Sequence, residues 1–136
     1  MLNNLPGWEG VMGLQFENLV THNYKTLWDM LNISAEEIVM DGPFFQSPTT
    51  KQPGCQIDYM IQTRFHTLYL CEVKFRKDKI GKKILEEMEE KRKRLKVPRH
   101  FSIRPVLIHV NGVENSVLDE GCFDKVIDFG QLLKSS

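Results

Sequence analysis

Two runs of alternating apolar and polar residues, separated by a short break, occupy the middle of the chain. The stretch 56–75 reads QIDYMIQTRFHTLYLCEVKF, and apolar residues take every second position on both sides of the break. A period of two, with β-branched and aromatic residues, is typical of β-strands. The least apolar and least periodic part is 64–66, so the pattern predicts a hairpin with its turn there.

The predicted hairpin places two acids next to each other. A turn centred on Phe65 pairs positions that add up to 130, which sets Asp58 opposite Glu72 with Cβ atoms about 4.5–5.5 Å apart. Two carboxylates side by side repel, and a hard divalent cation with a few waters, such as Mg²⁺, would remove that repulsion. Lys74 lies two residues after Glu72 and points the same way, where it could position an attacking water and offset phosphate charge.

Spacings of three and four residues between apolar positions predict two helices. The first covers 13–31 and the second covers 78–96, with Met88 packed into the core. Between the first helix and the hairpin, Ser34–Glu37 resembles a capping box. A first strand is predicted at 38–40 or at 43–46, on either side of the chain breaker 41–43, and a loop at 47–54. A further strand is predicted at 103–110, or from Val106 if Pro105 is excluded from it. A short edge strand at 126–129 and a terminal helical turn at 131–134 complete the predicted elements.

The composition is that of an ordinary globular protein. The 136 residues suit a single domain over 1–136, and 41% hydrophobic with 26% charged residues are typical values. No apolar run approaches the ~18 residues of a membrane span, and the N-terminus lacks the basic and apolar regions of a secretory signal. Three cysteines without CxxC spacing favour reduced thiols and a cytoplasmic location.

A net charge of zero hides a marked asymmetry along the chain. Residues 1–73 carry three Lys/Arg and eight Asp/Glu, 74–104 carry thirteen and five, and 105–136 carry two and five. A basic block directly after the Glu72 strand suits a phosphate-backbone partner. The alternative is a solvated helix with charges paired along it, as Glu87–Lys91 and Glu89–Lys93. That alternative accounts less well for the cations with few acids near them in sequence: Lys74, Arg76, Lys77, Lys82 and Lys83.

An acid followed by Glu-x-Lys on the next strand of a hairpin resembles the PD-(D/E)XK, or restriction-endonuclease-like, nuclease superfamily. Asp58 matches the first acid, with Ile57 where the named proline would stand, and 72–74 match the remainder. The sequences GCQID and LCEVKF are more specifically similar to those of nuclease-like domains at the C-terminus of certain prokaryotic AAA-type ATPases. The resemblance runs from about Gly10 to Leu133 and is sharp only in the hairpin. A second Glu-x-Lys, at 89–91 within the predicted helix, is interpreted as a solvated charge run.

The predicted order of elements is helix, three strands, helix and strand, which is also the core order of the resembled fold. We therefore expect an α/β protein with a restriction-endonuclease-like α-β-β-β-α-β core, in which helices flank a mixed central sheet. The resemblance implies a Mg²⁺-dependent nuclease acting on DNA, with Mn²⁺ as a substitute. The implied roles are metal binding by Asp58, Glu72, the Val73 carbonyl and Glu17 on the first helix, water positioning by Lys74, and DNA contacts by Lys77, Lys82 and Lys83.

Two other functions compete with this prediction. One is a catalytically inactive module that binds DNA or protein beside an AAA-type ATPase. The chain has no GxxxxGK[ST] phosphate loop, so the ATPase domain would belong to another part of the same protein or to an associated chain. The other is a zinc hydrolase, which four histidines without HxxxH or HxH spacing favour little. Cutting both strands of a duplex would favour a homodimer.

Overall fold

A five-stranded mixed sheet with the order β1-β2-β3-β4-β5 forms the centre of the computed structural model, which describes residues 22–74, 76 and 78–129. The elements are, in chain order, α1 Tyr24–Met30, a 3₁₀ turn Ala35–Glu37, β1 Ile38–Gln46, β2 Cys55–Thr63, β3 Thr67–Lys74, α2 Lys83–Arg94, β4 Ser102–His109, α3 Asn115–Asp119 and β5 Lys125–Asp128. This arrangement confirms the predicted α/β class and core order. No helix in the described part of the chain is both long and apolar enough to cross a membrane.

The central hairpin forms with the predicted turn and register. Strands β2 and β3 are antiparallel, and their pairing runs from Thr63–Thr67 to Tyr59–Cys71, so paired positions add up to 130. His66 in the turn has a φ of 57°, the left-handed conformation that a tight reversal of the chain requires.

The other half of the sheet is parallel. Strand β4 pairs in parallel with β3, and the short edge strand β5 pairs in parallel with β4. Strand β4 includes Pro105, whereas the sequence predicts a start at Val106 if the proline is excluded. Proline is tolerated because β5 pairs only from Val106 onwards, so Pro105 lies where β4 is not yet flanked by two strands.

Both faces of the sheet are covered by apolar side chains. On one face, Leu27 of α1 packs with Tyr59, Cys71 and Val106. On the other face, Met88 of α2 packs with the alternate strand positions, as the apolar stripe of the second helix predicts. Buried apolar area on two faces is the main stabilising term of a domain of this size.

Two predicted boundaries are wrong, and one helix was not predicted. Strand β1 continues through the breaker 41–43 as one strand, because it lies at the sheet edge and absorbs Gly42 and Pro43 in register shifts. The second helix begins at Lys83, since Ile80 instead forms a parallel bridge with Val113. Helix α3 has no counterpart in the prediction.

A buried amide fixes the end of α2. The Gln46 side chain donates to the Arg94 carbonyl at 2.7 Å and to the Pro53 carbonyl at 2.9 Å, and it accepts from the Lys96 N–H at 2.8 Å. These bonds satisfy backbone groups that a helix end leaves open. The helix is thereby tied to the edge strand, and this limits where its charged side chains reach the sheet.

The capping box at Ser34–Glu37 also forms as predicted.

Candidate active site

Asp58 lies at an irregularity in strand β2. Ile57 packs in the cluster that contains Met88, whereas Tyr59, two residues later, packs in the cluster on the opposite face. The strict alternation of side chains is therefore interrupted at Asp58, as in a β-bulge. The Asp58 Oδ2 atom accepts a hydrogen bond from the Val73 backbone N–H at 2.9 Å. A side chain thus joins the two strands just beyond the last paired residues, and it holds the Asp58 carboxylate beside β3.

Glu72 is a buried acid with a cation against it. Its side chain is 2% exposed, and the Lys91 Nζ atom from α2 lies 2.5 Å from its Oε1 atom. Burial, and next the negative charge of Asp58, raise the pKa of Glu72 to about 7, while Lys91 acts in the opposite direction. The Val73 N–H that bonds to Asp58 belongs to the residue directly after Glu72, so the Asp58 carboxylate lies beside the Glu72 backbone.

Lys74 forms a second ion pair between the same strand and helix. Its Nζ atom lies 3.3 Å from Glu87 Oε2, and both side chains are partly exposed. Two ion pairs, Glu72–Lys91 and Lys74–Glu87, therefore connect β3 to α2 on one face of the sheet.

Lys91 is the residue that the sequence analysis assigned wrongly. Both its predicted pairing with Glu87 and its place in a solvated charge run are replaced by the contact with Glu72. The physical reason is that a buried carboxylate costs several kcal/mol unless a cation or hydrogen bonds compensate it. The signal that could have identified Lys91 is the position of Glu72 on the predicted strand, because an acid buried there requires a partner from the helix that covers it.

His109 extends the site toward the parallel half of the sheet. It is the direct partner of Lys74 in the β3–β4 pairing and of Asp128 in the β4–β5 pairing. Its side chain is buried, and within the described part of the chain its Nδ1 atom has no side-chain or backbone hydrogen-bond partner. Burial lowers the pKa of His109, against the opposite effect of Asp128. The sequence analysis did not identify this histidine, because its place beside Lys74 depends on the β3–β4 register.

The remaining predicted residues divide into two groups. Lys82 and Lys83, at the start of α2, are exposed, and Val73 is buried beside Asp58. Glu17 and Lys77 lie outside the described residues, so their positions relative to the site stay predictions.

The donor atoms suit a hard cation with few protein ligands. The hydrogen bond to Asp58 uses Oδ2 and the ion pair to Glu72 uses Oε1, so Oδ1 and Oε2 are the atoms available to a metal. Among residues 22–74, 76 and 78–129, no group of three or more His, Cys, Asp or Glu side chains could hold a metal. Two carboxylates completed by waters and substrate oxygens are the usual protein contribution to a Mg²⁺ site, so this pair fits Mg²⁺ better than a metal that needs an all-protein cage.

Comparison with solved structures shows a nuclease-like fold. The chain is similar to the crystal structure of a repair endonuclease from Pyrococcus abyssi, with a TM-score of 0.50 and 14% sequence identity over 82% of this chain. The match covers 43% of that endonuclease, so this chain spans less than half of its length. Neither a protein-family model nor a curated protein sequence matches the chain. The similarity defines an endonuclease-like α/β fold.

Proposed function

We propose that this chain is a Mg²⁺-dependent nuclease domain of the PD-(D/E)XK type that hydrolyses DNA phosphodiester bonds, with Mn²⁺ as a substitute. The observation that carries this proposal is the hydrogen bond from the Val73 N–H to Asp58, which brings the Asp58 carboxylate beside Glu72 where the β2–β3 pairing ends, with Lys74 on the same strand as Glu72. The endonuclease-like fold supports it. The structural contacts of Asp58 with the Val73 N–H and of Glu72 with Lys91 do not require two acids beside each other, and like charges close together destabilise a sheet.

Each of the proposed site residues is assigned a role. Asp58 and Glu72 would hold the ion, with the Val73 carbonyl and Glu17 as further ligands, and the bound ion would supply Lewis acidity toward the scissile phosphate. The Lys74 ammonium would orient the attacking water and stabilise negative charge that develops on the phosphoryl oxygens. Lys74 reaches that position by leaving Glu87, which costs little because both side chains are partly exposed.

The basic block supplies a surface for the DNA backbone. Lys82 and Lys83 are exposed at the N-terminal end of α2, where the helix dipole adds positive potential. Cations at this end of a helix need anions nearby; Glu86 in the first turn and the Glu114 carboxylate beside Gly81 supply negative charge, and DNA phosphates would add to it. Lys77 follows directly on the Glu72 strand and is proposed to contact the same backbone.

A second function is favoured by the same ion pairs. In the structure both lysines near the acids are bound to glutamates, Lys91 to Glu72 and Lys74 to Glu87. A chain in which these pairs were permanent would be a catalytically inactive DNA- or protein-binding module, such as one attached to an AAA-type ATPase. The response to metal separates the two functions, because permanent pairs leave no place for a cation.

Mg²⁺ or Mn²⁺ is expected to raise the melting temperature of the wild-type protein, and Asp58→Asn is expected to abolish this rise. A ligand at 100 times its Kd adds about 2.7 kcal/mol to the free energy of unfolding. Asparagine retains an oxygen that can accept the Val73 N–H bond, so the variant tests the charge and not the fold. The measurement is thermal unfolding with and without each metal.

Asp41→Asn is the matched control for this experiment. Asp41 accepts a hydrogen bond from the Tyr59 hydroxyl at 2.6 Å, so it is an acid in a hydrogen-bonded position away from the proposed metal ligands. Its substitution should leave the metal response unchanged. An equal metal response in Asp58→Asn and wild type would exclude Asp58 as a ligand.

A further inference from the structure

The contact between Lys91 and Glu72 joins two side chains of very different exposure. The Glu72 side chain is 2% exposed and fixed on the central strand β3, whereas the Lys91 side chain is 26% exposed on α2. A lysine carries its charge on a flexible four-carbon stem. The ammonium can therefore move toward solvent while the carboxylate stays in place.

Lys91 lies where it would compete with a metal. Its Nζ atom is 2.5 Å from Glu72 Oε1, so a divalent ion bound to the same carboxylate would lie within a few ångströms of the ammonium. Two cations at that separation repel strongly in a partly buried site. A metal ion on Glu72 Oε2 and Lys91 on Oε1 would therefore weaken each other's binding unless another contact compensates the repulsion.

A phosphate oxygen of bound DNA would provide that gain. The backbone of a DNA strand bound at the site would bring anionic oxygens within reach of the Lys91 side chain, which is partly exposed on α2. An ammonium displaced from a carboxylate forms an equivalent charge-assisted hydrogen bond with a phosphate. The structure shows no acid other than Glu72 bound to the Lys91 ammonium among the described residues.

We propose that Lys91 is an exchangeable counter-ion that holds Glu72 when the site is empty and moves to a DNA phosphate when the metal enters. This inference rests on the proposed nuclease function. Its consequence is that metal and DNA bind cooperatively, because each removes a cost of binding the other. By thermodynamic reciprocity, DNA tightens metal binding by the same factor by which metal tightens DNA binding.

The test compares Mn²⁺ affinity, measured by titration calorimetry, with and without a short duplex DNA. Lys74→Ala is the background for the samples with DNA and for their DNA-free references, so that DNA is cut about 10²–10³-fold more slowly during the titration. In this background we expect DNA to tighten Mn²⁺ binding about 5–150-fold, the usual range of coupling between sites. Lys91→Gln removes the charge but keeps an amide that can donate to Glu72. It should bind Mn²⁺ at least about tenfold more tightly without DNA, and the coupling factor should fall toward one.

Lys93→Gln is the matched control, because Lys93 is an exposed cation on the same helix. It should leave both the affinity and the coupling factor near those of the background. Lys91→Arg, which retains the charge, should restore most of the coupling.

Three outcomes are decisive if Lys91→Gln folds. Tighter Mn²⁺ binding and lost coupling in Lys91→Gln alone support the exchange. Asp58-dependent Mn²⁺ binding that Lys91→Gln does not alter overturns the exchange but leaves the nuclease proposal standing. The absence of Asp58-dependent Mn²⁺ binding in all proteins, wild type included, overturns both. If Lys91→Gln did not fold, the background protein alone would decide, since equal Mn²⁺ affinity with and without DNA contradicts the exchange.

Discussion

Lys74→Ala is expected to lower the rate of metal-dependent DNA cleavage about 10²–10³-fold while metal and DNA still bind. The substitution removes a positioned cation that acts on the attacking water and the developing phosphoryl charge, and it removes no metal ligand. The assay is cleavage of a mixed panel of linear, branched and single-stranded DNA with Mg²⁺ or Mn²⁺. The metal-induced rise in melting temperature, measured on the same samples, should persist in the variant.

Lys79→Ala is the matched control for this loss of rate, because Lys79 is an exposed cation in the same basic block. Its rate should stay close to that of the wild type. A Lys74→Ala protein that cuts as fast as the wild type would remove Lys74 from the mechanism. Wild-type protein that cuts no member of the panel would favour the inactive binding module.

Glu72→Gln is expected to stabilise the metal-free protein, and the gain should grow as the pH rises from 5 to 8. Glutamate has an ordinary pKa of 4.5, and burial together with Asp58 raises the pKa of Glu72 to about 7 in the folded state. Between these two values the folded chain retains a proton that the unfolded chain has released, so the free energy of unfolding falls with rising pH. The penalty is complete above about pH 7 and amounts to about 3 kcal/mol, at ~1.4 kcal/mol per pKa unit.

Glutamine has the shape of the protonated acid and avoids this penalty. The measurement is the free energy of unfolding in urea for both proteins at several pH values, taken as a difference so that the effect of His109 cancels. Glu89→Gln, an exposed position on α2, is the control and should show a difference that changes little with pH. A difference for Glu72→Gln that is constant from pH 5 to 8 would contradict the raised pKa.

The hairpin could be predicted from sequence because its information is local. Alternation of apolar residues, together with a turn at 64–66, determines the register as far as the Tyr59–Cys71 pair, and this register places Asp58 near Glu72. The order of elements could be predicted for the same reason. The irregularity at Asp58 could not, because it depends on how β1 pairs with the other edge of β2, where the register shifts between Gly42 and Phe44.

The charges around the acids could be predicted only in part. Lys74 was found from its place two residues after Glu72, which is a property of the strand. Lys91 was not found, because its contact depends on where α2 lies over the sheet and on the true start of that helix at Lys83. Sequence spacing favoured a pair within the helix, whereas the buried Glu72 requires a cation more strongly than an exposed helical pair does.

The most direct test of the nuclease proposal is the anomalous scattering of Mn²⁺ in crystals of the wild-type protein. The proposal predicts a peak within coordination distance of both carboxylates, on the Oδ1 side of Asp58 and the Oε2 side of Glu72, with the Lys91 ammonium displaced from Glu72. The same soak of Asp58→Asn crystals should give no peak there. Wild-type crystals that bind Mn²⁺ only elsewhere, with Lys91 still on Glu72, would contradict the proposed metal site.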